Sequence, residues 1–195
     1  MKPILFIDFD GTLCHDRFWR SLEPTLQEKV QINLFGSKKE LIRNWMLGKY
    51  TSEEINQMLA DELGADYNKL WSTFVNDCKK MAVSQEVLDR IQSLRERYFI
   101  VLITDNMDSL DRFTVPALGL DQYFDLIVNS HTEKALKNDE NGKSFQKVIE
   151  KYQSPLSESI LIDNSVSSCK VFEDLGGKSC LVTPEKTLVD WLETV

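Results

Sequence analysis

Two carboxylates, Asp8 and Asp10, stand one residue apart directly after the apolar run Pro3-Ile4-Leu5-Phe6-Ile7. A short unbroken apolar run reads as a parallel-sheet strand covered on both faces. Ligands of open α/β sheets bind just past the carboxyl ends of such strands. Carboxylates this close do not both ionise cheaply. Without a counter-charge one is driven toward its neutral form, whereas a divalent cation holds one or both as carboxylate. Gly11 then allows a turn tight enough for backbone N–H groups to face an anion.

Other strand-like runs end in polar residues of the same kind. Tyr98-Phe99-Ile100-Val101-Leu102-Ile103 leads to Thr104-Asp105-Asn106, where a hydroxyl and the N–H groups after it can hydrogen-bond a phosphate oxygen. The run from Phe124 to Asn129 leads to a polar stretch with Lys134, Lys137 and Lys143, then to a helix through Phe145, Val148 and Ile149. Ser159-Ile160-Leu161-Ile162 ends at Asp163-Asn164-Ser165, and a last strand spans Lys178 to Val182. Thr183-Pro184 is expected to open a terminal helix with Pro in its first turn. Strand and helix in alternation imply an α/β fold with a Rossmann-like, doubly wound parallel sheet. Taken singly, a strand-terminal Thr commonly caps the next helix and a loop Lys is solvated.

Residues 16 to 81 read instead as almost wholly helical. Tyr67, Leu70, Trp71, Phe74, Val75 and Cys78 recur at the spacing of one apolar helix face, and Ile55, Met58, Leu59 and Leu63 repeat it. Ser37-x-x-Glu40 and Thr51-x-x-Glu54 have the capping-box pattern. Gly36, Gly48 and Gly64 fall where helices should stop. The expected division is a core of residues 1 to 15 and 82 to 195, interrupted by an all-helical insertion at 16 to 81. Arg17, Arg20, Arg43 and Trp45 could reach a ligand from the insertion, but single arginines are usually solvated or ion-paired.

Asp8-Phe9-Asp10-Gly11-Thr12-Leu13 after a hydrophobic strand resembles the first signature of the haloacid dehalogenase superfamily. The resemblance extends over the whole chain, with candidate signatures at four successive strand ends. It implies that Asp8 is a nucleophile and Asp10 a general acid and base. It further implies that Thr104 and Asp105 belong to a phosphate-binding loop and that a lysine neutralises nucleophile and phosphate. Lys137 fits that lysine best by its distance to the next strand, with Lys143 as the alternative, although the family's usual Lys-Pro pair is missing. A magnesium ion would be held by Asp8, the Asp10 carbonyl and Asp163. Asn164 stands where the family commonly has a second Asp. The helical insertion corresponds to a cap that excludes water and selects substrate.

Composition limits the partners. The 195 residues carry a net charge of −8 and are 42% hydrophobic, enough for a real core. An acidic chain argues against nucleic acid and anionic membranes as partners. No apolar stretch approaches the length of a membrane span and no signal pattern opens the chain, so a cytoplasmic location is expected. Cys14, Cys78, Cys169 and Cys180 show no paired spacing, which reads as reduced, buried thiols. The expected activity is magnesium-dependent hydrolysis of a small phosphorylated metabolite by a monomer or homodimer. Phosphomutase chemistry, dehalogenation and a non-catalytic metabolite-binding protein are the alternatives. Dehalogenation by the same fold requires neither Asp10 nor a metal.

Overall fold

The computed structural model describes residues 2–195. Strand β1 (Ile4–Ile7) is followed by helices α1 (Pro24–Val30), α2 (Lys39–Met46), α3 (Ser52–Leu63) and α4 (Tyr67–Lys79). Next come α5 (Gln85–Ser93), β2 (Phe99–Thr104), α6 (Val115–Leu118), β3 (Leu126–Asn129), α7 (Ser130–Glu133) and α8 (Lys143–Tyr152). The chain closes with β4 (Ile160–Asp163), α9 (Val166–Asp174), β5 (Lys178–Leu181) and α10 (Leu188–Leu192). The described strands form one parallel sheet in the order β3-β2-β1-β4-β5.

Successive side chains of a strand point to opposite faces, and both faces of this sheet are covered. Ile4 and Phe6 enter one core with Phe145 of α8 and Phe172 of α9. Leu5 and Ile7 enter another with Ile91 of α5 and Leu188 of α10. That two-sided burial is the physical reason for the unbroken apolar run near the N-terminus. The order of strands reverses at β1, so a crevice opens between the carboxyl ends of β1 and β4, where open α/β sheets place ligands.

The helices between β1 and α5 pack around a third core of their own, centred on Trp19, Trp45, Ile55, Leu59, Leu70 and Phe74. Tyr67–Lys79 is the helix that the apolar spacing predicts, with Leu70, Phe74 and Cys78 buried. Thr51 and Glu54 form the expected capping box at the start of α3, and Gly64 ends that helix in the left-handed conformation. Ser37 does not cap. Its hydroxyl donates back to the Asn33 carbonyl at 2.8 Å, and Lys38 holds the N-cap position of α2 without a side-chain bond. The cause lies upstream, where α1 runs directly into a π-helical turn, Gln31–Gly36, that occupies Ser37 as its end. The terminal helix also starts later than expected. Thr183 and Lys186 bond each other's backbone in a turn around Pro184, and α10 begins after a capping box made by Thr187 and Asp190.

Buried polar contacts bind the insertion to the core. Asp108, at the start of the helical stretch that follows β2, accepts from Trp45 Nε1 at 3.1 Å and from the Ser52 hydroxyl at 2.5 Å. Gly48 packs so closely on the core that a Cβ there would lie 1.9 Å from Lys134 Nζ and 2.8 Å from the His131 carbonyl oxygen. Its φ of +67° also favours glycine. The four cysteines are buried free thiols. No described helix is long and apolar enough to cross a membrane.

Candidate active site

Asp8 follows the last residue of β1 and Asp163 is the last residue of β4, on the two sides of the crevice. The Asp8 amide donates to the Ile162 carbonyl at 3.0 Å, so sheet pairing itself sets the two carboxylates side by side. Lys137 joins them. Its Nζ lies 2.8 Å from Asp8 Oδ1 and 2.6 Å from Asp163 Oδ2, with all three side chains buried. The Lys137 amide donates to Asp105 Oδ1 at 2.8 Å, which anchors the loop that carries the lysine. Lys143 pairs with Glu140 on the surface, and Lys134 reaches the Gly48 carbonyl.

The remaining Asp163 oxygen accepts from the Ser165 amide at 2.7 Å. Asp8 Oδ2 accepts no hydrogen bond from the described residues and is the free oxygen of the group. Thr104 ends β2 with its hydroxyl buried and unpartnered, a costly state for a polar atom unless a ligand completes it. Gly11 adopts a φ of +82°, and a Cβ on it would lie 2.2 Å from Asn164 Nδ2. The positive φ is what favours glycine there, since the Asn164 side chain could move aside. Thr12, to which the sequence assigns no role, fixes the approach of the β1 and β4 loops by accepting from the Asn164 amide at 3.1 Å. The Asn164 side chain lines a separate shallow cleft with His15 and Thr183.

Two of the expected site residues have side-chain partners outside the Asp8–Lys137–Asp163 cluster or on its loop. The Asp10 carboxylate lies outside the buried cluster. Its side chain is 56% exposed and forms an ion pair with Arg17, so it contributes no side-chain oxygen to the buried cluster. Asp105 spends one carboxylate oxygen on the Lys137 amide, so its side chain positions the lysine loop. The sequence offered Arg17 only as one of several arginines within reach. Its pairing depends on a linker with no periodicity, and only position in space singles it out.

Electrostatics follow from burial. Burial raises the Asp8 carboxyl from its ordinary 3.8 to about 7, opposed by Lys137 and reinforced by Asp163. Burial also works against the Lys137 charge, but the carboxylates Asp8, Asp163 and Asp105 outweigh it and hold the ammonium above its usual range. An acid whose folded pKa exceeds its unfolded value stabilises the fold most at low pH and loses that contribution as pH rises through the folded value. In chelator, the melting temperature of Asp8→Asn relative to wild type should therefore climb between about pH 4 and pH 8. A difference that stays flat or falls would mean that Asp8 is ionised throughout.

Among the described residues no three His, Cys, Asp or Glu side chains form a ready metal cage. The donors present nevertheless suit magnesium, which takes oxygen ligands and is commonly held by one or two carboxylates together with substrate phosphate. Asp8 and Asp163 are two such carboxylates, and a main-chain carbonyl at Asp10 can add a third oxygen. A cleft of about 290 Å³ is bordered by Asp10, Asp105 and Asn106 of the core and by Arg17, Phe35, Ile42 and Met46 of the insertion.

A doubly wound sheet with buried carboxylates at its switch point and a helical cap over them is the architecture of a capped α/β hydrolase. The family model for haloacid dehalogenase-like hydrolases matches residues 3–176, and the chain belongs to that family. Solved structures agree in fold. An enzyme of this family from Bacteroides thetaiotaomicron, in complex with magnesium and inorganic phosphate, is 20% identical, with 94% of this chain and 95% of that one covered at a TM-score of 0.71. A predicted family hydrolase from Porphyromonas gingivalis is 21% identical over 93% and 91% of the two chains, with a TM-score of 0.66. L-2-haloacid dehalogenase from Xanthobacter autotrophicus, with chloropropionic acid covalently bound, is 13% identical over 95% and 80%, with a TM-score of 0.59. No curated protein matches the sequence.

Proposed function

We propose that this hydrolase is a magnesium-dependent phosphatase that cleaves a small phosphate monoester through an aspartyl phosphate on Asp8. The observation that carries the reading is the buried Asp8–Lys137–Asp163 cluster beside the unpartnered Thr104 hydroxyl. A phosphoryl group placed against Asp8 Oδ2 would give that hydroxyl an acceptor and the ammonium a further anion. The magnesium complex of the Bacteroides enzyme with inorganic phosphate supports the same reading. Dehalogenation would leave unexplained why Asp10 borders the cleft and why Asp163 completes an oxygen-donor pair.

Asp8 attacks phosphorus, and the bond from phosphorus to the ester oxygen breaks as that oxygen takes a proton from Asp10. Asp10, now a carboxylate, removes a proton from water, whose oxygen attacks the aspartyl phosphate. Inorganic phosphate leaves, and Asp8 and Asp10 return to their starting forms. Thr104 and Lys137 hold the transferring oxygens throughout. Magnesium bound to Asp8, Asp163 and the Asp10 carbonyl would supply positive charge against the phosphate. For Asp10 to act, its ion pair with Arg17 must open toward the substrate. The cap shields the aspartyl phosphate from bulk water until the alcohol has gone.

Purified protein with magnesium should release phosphate from an aryl phosphate and no halide from a 2-haloacid. The reverse outcome overturns the reading. The role of Asp10 has its own signature, because general acid help is worth roughly 10²–10⁴-fold and matters most for poor leaving groups. Asp10→Asn should impair alkyl phosphates far more than aryl phosphates. It should also slow hydrolysis of the aspartyl phosphate, so that a burst of aryl alcohol precedes a slow steady state. Equal losses on both substrates, without a burst, would reduce Asp10 to a structural or metal-holding residue.

A further inference from the structure

The cleft that Phe9, Asp10, Asp105 and Asn106 border, next in sequence to Asp8 and Thr104, has a composition that selects among phosphate esters. Its far wall is built from Phe35, Ile42 and Met46 of the cap, and Phe18, Met81 and Met107 complete an apolar lining. Three of the chain's five methionines are in it, and methionine is the side chain that adapts most readily to varied apolar shapes. Phe35 and Gln31 both belong to the π-helical turn Gln31–Gly36. Such turns are rare and gather at functional sites.

Charge narrows the choice further. Arg17 is the single cation among the described lining residues, and it stands against three acids, Asp10, Asp16 and Asp105. A second anionic group on the substrate would meet net negative charge there. A sugar would have to strip water from its hydroxyls against the wall of Phe35, Ile42 and Met46, where Gln31 is the one lining side chain able to replace the lost hydrogen bonds. At about 290 Å³ the cleft also lies at the low end of the range for small-molecule sites.

We infer that the substrate is the phosphate monoester of a small, uncharged and mainly apolar alcohol, with Phe35, Ile42 and Met46 as its specificity-determining contacts. The inference rests on the phosphatase reading above and adds the class of leaving group. Sugar phosphates, phosphorylated carboxylic acids and bisphosphates are disfavoured by the same wall that accepts an alkyl or aryl chain.

A substrate series tests it. With magnesium, kcat/KM should rise by about fourfold per methylene from ethyl to butyl phosphate, the worth of one buried CH₂. Benzyl phosphate should exceed glucose 6-phosphate and 3-phosphoglycerate by about 100-fold or more. Phe35→Ala and Ile42→Asp should flatten the chain-length dependence, mainly through KM. Ile32→Ala, on the same turn but 59% exposed, should leave it intact. A flat series in the wild type, or a sugar phosphate that outperforms benzyl phosphate, overturns the assignment and leaves the phosphatase reading standing. Titration of Asp8→Asn protein with benzylphosphonate and with a sugar phosphonate reads the same preference without turnover. Selective binding of benzylphosphonate with no hydrolysis of any ester would sink the phosphatase reading and keep the cleft assignment. Absence of both would sink both.

Discussion

Asp8→Asn should lower aryl phosphate hydrolysis by roughly 10⁴-fold or more, the usual consequence of losing a covalent nucleophile. Asp8 Oδ1 is held by Lys137, while Oδ2 receives no bond from the described residues and is left for a phosphoryl group. An amide fills the same space without presenting an anionic oxygen, so the variant should fold and bind phosphate yet form no aspartyl phosphate. Chelation of magnesium should abolish wild-type turnover. An Asp8→Asn enzyme of normal rate would end the covalent mechanism, and full activity in EDTA would end the metal assignment.

Lys137→Ala should be the most damaging substitution for the fold and the site together. Removing the ammonium leaves the buried Asp8 and Asp163 carboxylates facing each other, and breaking a buried ion pair in this way costs about 3–5 kcal/mol. Turnover should fall by on the order of 10²-fold or more, as when one preorganised charge-stabilising group is lost. Lys143→Ala removes only a surface pair with Glu140, so stability and rate should stay close to wild type. Denaturant midpoints and kcat measured on both variants separate the two lysines. A neutral Lys137→Ala would mean that the buried carboxylates share a proton and need no counter-charge.

The strands were legible because a strand buried on both faces must be apolar without interruption, and β1, β2 and β4 satisfy that within a few residues each. Their ends were legible for the same reason. Asp8, Thr104 and Asp163 mark where apolar sequence stops, and the carboxyl ends of parallel strands are where ligands bind. The helices of the cap showed in the 3.6-residue period of Phe74 and its neighbours. Local signals that compete were harder to read. Ser37 carried a capping pattern, but a π-helical turn had already consumed its position, and Pro184 served a turn that the Thr187 box then followed.

What the sequence by itself determined is thus the inventory: which segments are buried, which polar residues end them, and that helices follow the first strand. All of these depend on residues close together in the chain. Tertiary structure decided the partnerships. Lys137 was one of three loop lysines until the loop docked on Asp105 and carried its ammonium between Asp8 and Asp163, residues separated from it by 129 and 26 positions. Arg17 found Asp10, and the methionines and aromatics of distant segments closed into one cleft. No periodicity records such meetings. They arise because the strand order reverses at β1, which brings chain ends with no local relation to a common crevice, and because charges sharing that buried crevice must neutralise one another.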